Sequence, residues 1–178
     1  PDDFVRRVRE FEMALPLFVV FLGLDIPASA LPYGNANRWV FGSYDFDREY
    51  AMIARGELPE RPFVYIATAS HKDPDNPRLA PPGHTNMQVM TIAPAQPECW
   101  GVTREQVEDG TYASSEGYAF RKAAVVARVL DQAERAVPDL RRHIVYQEAS
   151  TPLTHSRYTR STGGTSYGIA ATPAQFLS

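Results

Sequence analysis

An α+β fold, with a mixed, mainly antiparallel sheet and helices packed against it, is predicted by three features of the sequence. Runs of strand character recur at residues 17–24, 38–46, 62–70, 85–93 and 143–150. No regular alternation of strand and helix separates them, as repeating βαβ units would require. The longest helical pattern comes late, from about Ser115, and 15 prolines among 178 residues punctuate the connections.

Taken in order, residues 1–13 read as a helix. Asp2 and Asp3 favour its first turn, and Phe4, Val8 and Phe11 recur at i, i+4 and i+7. The continuous run "LFVVFLGL" suits a strand covered on both faces. "RWVFGSYDF" predicts a second strand, and "DREYAMIARGELP" a short helix stopped by Gly56 and Pro59. "PFVYIATAS" and "TNMQVMTIA" are the clearest remaining strands. Between them, residues 71–84 read as a proline-punctuated loop without a helix. Residues 94–102 read as irregular. Thr103 and Gln106 stand in capping-box spacing before a turn or two of helix that ends at Gly110. The long helix buries Val126, Val129, Leu130, Ala133 and Val137, and Pro138 ends it. "HIVYQEAS" is a last strand, leading into the glycine-rich tail.

Residues 1–178 read as one domain, long enough to bury roughly 70% of its unfolded surface. Net charge is −3, and no basic run exceeds two residues, so no stripe for nucleic acid is visible. The single cysteine, Cys99, and the lack of an N-x-[ST] site fit a reducing compartment and a cytoplasmic location. The longest apolar stretch, residues 14–24, is too short for a bilayer span and contains Pro16. The charged opening reads as the inside of a helix already under way, so a domain cut from a larger protein is expected.

Local chemistry gives little. His71, His84, His143 and His155 are scattered, with no i, i+4 pair and no cysteine pair beside them, so no metal is expected. Cys99 sits in "PECWG", where Trp100 points to packing rather than an activated thiolate. Asp45 with Asp47, and Asp73 with Asp75, read as turn composition. In "STGGTSYG" the glycines stand at 163, 164 and 168, matching neither phosphate-binding motif. On local evidence they mark a hairpin or bulge.

Three segments, in order, change that reading: "LFVVFLGLD", then "PFVYIATASHKDPDNPRLAPPGHTNMQVMTIAP", then "VPDLRRHIVYQEASTPLTHSRYTRSTGGTSYG". The most specific pieces are Ser70, Asp73, Pro74, Ala80, Pro81 and Gly83 in the loop, and Thr151, Pro152, Thr154, Gly164, Tyr167 and Gly168 in the tail. Together they resemble the middle-to-late part of the phytoene desaturase, carotenoid isomerase and retinol saturase group. That group comprises FAD-dependent oxidoreductases more distantly related to amine oxidases.

The resemblance implies a substrate-binding domain that covers a flavin and forms an apolar tunnel for a polyene or similar lipid. The family's N-terminal dinucleotide motif and C-terminal flavin segment are not in this sequence. FAD is therefore expected in an intact parent protein and not to be held by this fragment, which is not expected to be active alone. Gly164, Tyr167 and Gly168 are implied to approach the flavin, with a purely structural turn as the alternative. Thr154 and Tyr158 are implied to contact substrate, core or interface packing being the alternative for the tyrosines. Hydride transfer between flavin and a carbon–carbon bond is the implied chemistry, and no catalytic side chain is named. The implied partners are an apolar small molecule and the FAD domain of the same chain, with peripheral membrane contact and a non-physiological dimer through the uncovered face as further expectations. A stand-alone lipid- or protein-binding domain is the alternative reading, and a hydrolase built on Asp73 and Asp75 ranks below both.

Overall fold

The computed structural model describes residues 2–176. Five strands form one sheet: β1 (Leu17–Leu24), β2 (Arg38–Val40), β3 (Val64–Thr68), β4 (Thr85–Ile92) and β5 (Ile144–Ser150). Their spatial order is β2-β3-β4-β1-β5, and every pairing among them is antiparallel. The helices are α1 (Asp2–Arg9), α2 (Phe46–Ala54), α3 (Ala69–Lys72), α4 (Arg104–Glu108), α5 (Glu116–Ala133), α6 (Pro152–Thr159) and α7 (Pro173–Phe176). None of these helices is long and apolar enough to cross a membrane.

Strand periodicity divides the sheet into two unlike faces. On one, Phe18, Val20, Leu22, Leu24, Val64, Ile66, Met87 and Val89 are at most 3% exposed. They pack in one cluster with Val125, Val126, Val129, Leu130 and Ala133 of α5. Trp100 stacks on Phe18 at 5.8 Å and donates its indole N–H to the Pro94 carbonyl at 2.9 Å. That bond removes the penalty of burying a polar N–H in an apolar layer.

Several expectations change here. The second strand, predicted over residues 38–46, covers only Arg38–Val40, and the first helix, predicted over residues 1–13, stops at Arg9. β1 is sealed on that face only: Leu17, Phe21 and Gly23 on the other side are half-buried, although Val19 is buried. No helix as long as α5 covers them, so a continuous apolar run does not mean two closed faces. α3 adds a single helical turn at the end of β3, overlapping the predicted loop. Residues Pro97–Trp100 form a 3₁₀ turn rather than irregular chain. α5 ends at Ala133, short of Pro138, and Val137 is buried beyond it in the following turn.

α6 has no counterpart among the predicted elements. Its N-cap is Thr151, whose hydroxyl accepts from the Thr154 N–H while the Thr154 hydroxyl accepts from the Thr151 N–H, with Pro152 in the first turn. The capping box predicted at Thr103 and Gln106 is present. The one at Thr151 uses threonine where glutamate or glutamine is usual, so it escapes the pattern. α1 is amphipathic, but none of its residues is buried, and Phe4 is 71% exposed.

Candidate functional site

The second face of the sheet carries the site. Cross-strand register aligns Trp39 with Tyr65, Tyr65 with Met90, Met90 with Val19, and Val19 with Ser150. One row of side chains thus crosses all five strands, apolar until Ser150. Toward the Leu17 end, Leu17 pairs with Ile92, and Phe63 and Ile92 cluster with Ile53 of α2. Toward the other end the same face turns polar, with Gln88 and Glu148 flanking Phe21. The face therefore has an apolar half and a polar half.

A cavity of about 950 Å³ lies over the apolar half. Leu17, Trp39, Phe63, Tyr65, Met90 and Ile92 contribute its floor. Tyr50, Ala51 and Ala54 of α2 form one wall. Asp45 fixes the start of that helix by accepting from the Arg48 N–H. The opposite wall comes from two distant pieces of chain, residues 12–15 and 167–172. They meet at the Met13–Ile169 bridge, with the Ala14 N–H on the Gly168 carbonyl at 2.9 Å and the Ala170 N–H on the Glu12 carbonyl at 2.8 Å. Segments near the two ends of the described residues thus lie together at the cavity rim. Glu12 is the one carboxylate among the lining residues described.

The β2–β3 side of the floor is aromatic and continues beyond the cavity. The rings of Trp39 and Tyr65 are 4.7 Å apart, and Trp39 also contacts Phe41 and Phe63. Phe41 continues to Phe46 and Tyr44. An open cavity whose lining surface is mostly apolar, with side-chain oxygens from Glu12, Thr91, Thr172 and three tyrosines, favours a largely apolar ligand held by burial.

The residues implied by the family resemblance fall in separate places. Tyr167 lines the cavity and is 78% exposed. Gly168 anchors the tail ribbon through its carbonyl, and at φ 81° a side chain there would meet nothing within 4 Å. Gly164 is buried, and a Cβ on it would sit 2.1 Å from the Pro152 carbonyl oxygen. Its missing side chain is thus filled by the protein's own backbone. Thr154 lies in a hydroxyl network with Thr151 and Tyr118, 3.3 Å from the Tyr118 phenol. Tyr158 is 77% exposed, with the Arg157 guanidinium over its ring. Neither Thr154 nor Tyr158 is among the cavity's lining residues.

A flavin fits these positions poorly. Gly164 is closed by Pro152, and Tyr167 and Gly168 form an edge of the cavity rather than a cradle. Cys99 is half-buried, and burial together with Glu98 pushes its thiol up, away from the thiolate. Asp73 forms a turn with Asn76, whose amide donates to it at 2.8 Å. Sequence reasoning does not single out Trp39, Tyr65 and Met90. The signal for the aromatic pair is the alternation Trp39-x-Phe41 and Phe63-x-Tyr65, which puts rings on one face of neighbouring strands.

No family model matches the sequence. The chain is similar to the 4,4'-diaponeurosporene oxygenase of Staphylococcus haemolyticus (strain JCSC1435), 32% identical over 166 residues that make up 90% of this chain and 28% of that protein. It is also similar to the proteins of the same name from Staphylococcus aureus strains USA300 and NCTC 8325 / PS 47, each 26% identical over 164 residues, 92% of this chain and 29% of theirs. The chain spans less than a third of the length of the curated relatives it matches.

Proposed function

We propose that this chain is the substrate-binding portion of an oxidoreductase acting on a carotenoid-like polyene, held against the open apolar half of the sheet. The observation that carries the reading is the row Trp39–Tyr65–Met90 beneath an apolar cavity of about 950 Å³. Similarity to proteins named for a diaponeurosporene supports the substrate class.

In this reading FAD belongs to the remainder of a longer chain, where it supplies the two-electron chemistry. The residues of this chain bind and orient. Trp39 and Tyr65 present ring faces to the polyene, Met90 adapts to its shape, and α2 and the tail ribbon exclude water from its flanks. Residues 12–15 and 167–172 form the side of the cavity that faces the redox domain. That placement supports a domain inserted between two parts of a larger protein.

The test is a titration of 4,4'-diaponeurosporene from detergent micelles, followed by tryptophan emission. Trp39 lines the cavity, whereas Trp100 is buried on the other face. Saturable quenching that disappears in Trp39→Phe, leaving only Trp100 emission, is expected. Quenching no greater than in a micelle-matched control protein would remove the polyene reading. Saturable binding of fatty acids with equal affinity would instead favour a general lipid-binding domain.

A further inference from the structure

Adjoining the apolar cavity at Met13 is a second concavity of about 570 Å³. Its other lining residues are His155, Thr159, Arg160, Ser161, Thr162, Thr165, Ser166 and Gly168. Five carry hydroxyl groups and none is a carboxylate, although acids outnumber bases 21 to 18 in the chain. Thr165 is only 5% exposed, its hydroxyl donating to the Gly168 carbonyl and accepting from the Tyr167 N–H. His155 shares a hydrogen bond through Nε2 with Ser150, which leaves Nδ1 uncommitted among the described contacts.

Arg160 is the distinctive member. It caps the C-terminus of α6 at φ 59°, the left-handed conformation that glycine adopts freely and a long side chain adopts at a disadvantage. Asp139 is the other non-glycine residue described at positive φ, and aspartate tolerates that region better. Among the described contacts the Arg160 guanidinium has no hydrogen bond, ion pair or ring partner. A C-terminal helix end favours a cation, but that alone does not call for arginine at a strained position. Non-glycine residues at positive φ recur at functional sites, and this one lines a concavity. The helix end carries about half a negative charge, and Arg160 is the one arginine or lysine among the lining residues described, with no carboxylate beside it there.

We propose that this concavity binds a phosphate group, with Arg160 as its charged anchor and the hydroxyl groups of Ser161, Thr162 and Ser166 as hydrogen-bond donors. Guanidinium and hydroxyl donors without a competing carboxylate are the donor types that recognise a tetrahedral oxyanion. The phosphate is either free, as on a small phosphoester, or part of a lipid headgroup. This inference does not depend on the polyene reading, since it concerns other residues.

The test is an amide NMR titration of the 178-residue chain with inorganic phosphate at constant ionic strength. Saturable shifts confined to residues 155–168 are expected, together with an affinity lower by about tenfold or more in Arg160→Gly. Because glycine suits φ 59°, that variant is expected to melt at the same temperature or higher, so lost binding cannot be a folding defect. Arg160→Lys is expected to keep part of the affinity. Non-saturable shifts, or equal affinity in Arg160→Gly, would overturn the proposal. Flotation with phosphatidylglycerol vesicles then separates the sources. Arg160-dependent flotation identifies a lipid headgroup, and its absence beside saturable phosphate binding identifies a soluble phosphoester. Flotation that persists undiminished in Arg160→Gly would again count against the site.

Discussion

The indole of Trp39 on β2 and the phenol ring of Tyr65 on β3 meet at 4.7 Å with their planes 57° apart, directly opposite each other in the antiparallel register. A tilted aromatic pair of this kind gains more than its buried area alone. It also fixes one end of the row beneath the cavity. Asn37 donates to the Tyr65 hydroxyl from the loop before β2 and holds the ring's polar tip away from the apolar floor.

Removing Trp39 therefore separates binding from folding. The residue is 56% exposed, so Trp39→Ala is expected to cost about 1 kcal/mol or less of stability while lowering polyene affinity roughly tenfold or more. Trp100→Ala on the closed face is expected to cost about 3–5 kcal/mol through the cavity it leaves. Urea denaturation of the two variants, set beside polyene titration of Trp39→Ala, checks the contrast. Similar stability losses would mean that the two faces of the sheet are not energetically distinct.

The tail glycines divide in the same way. Gly164→Ala forces a Cβ to within 2.1 Å of the Pro152 carbonyl oxygen at φ 70°, so a loss of about 3 kcal/mol or more is expected. Gly168→Ala meets open space and bears only the left-handed penalty, about 1–2 kcal/mol. Thermal melts of both variants decide this. Equal losses would show that Gly164 has room the structure does not display.

Thr154 is expected to act on stability rather than on ligand. Its hydroxyl accepts from the Thr151 N–H at the start of α6 and lies near the buried Tyr118 phenol. Thr154→Ala is expected to lower stability by about 1 kcal/mol and to leave polyene affinity unchanged. A tenfold affinity loss at unaltered stability would restore it as a substrate contact.

Glu49 gives the fold a pH dependence. It is 5% exposed on α2, and its Oε2 is buried without a hydrogen-bond partner. Burial raises its carboxyl above the usual range, the Phe63 N–H opposes that shift, and Asp45 adds to it. A raised folded value means that the folded protein holds the proton more tightly than the unfolded chain does. The associated stability is complete below the unfolded carboxyl's range, declines as pH rises through it, and is gone above the folded value. Glu49→Gln is thus expected to flatten melting temperature against pH from the ordinary carboxyl range upward and to be the more stable form once pH exceeds the raised folded value. Parallel curves for the two proteins would contradict this origin.

Much of the fold is legible in the sequence because its signals are local. The strands centred on residues 17–24, 64–68, 85–92 and 144–150 follow from β-branched and aromatic runs bounded by turn residues. α5 follows from its 3.6-residue stripe, and α4 from its capping box. α6 is not legible, because Thr154 stands where a longer polar side chain is usual and because α6 has a weak apolar stripe. The resemblance marks the tail, and Tyr167 does reach the cavity wall. Thr154 and Tyr158 stand earlier, on α6, and neither lines the cavity: the Thr154 hydroxyl is engaged with Thr151 and Tyr118, and Tyr158 faces solvent.

What the sequence by itself determined is composition by element: where the main strands and the long helix lie, and that no metal-binding spacing stands out. Only the tertiary structure decided which apolar surface would be closed. Pairing β2 with β3 and β4 with β1 set Trp39, Tyr65, Met90 and Val19 in one row, contacts separated by tens of residues that no local pattern encodes. Placing α5 on one face left the other to α2 and the tail ribbon, which are too small to cover it. The open half-face, and with it the candidate site, results from where the helices pack rather than from how apolar the strands are.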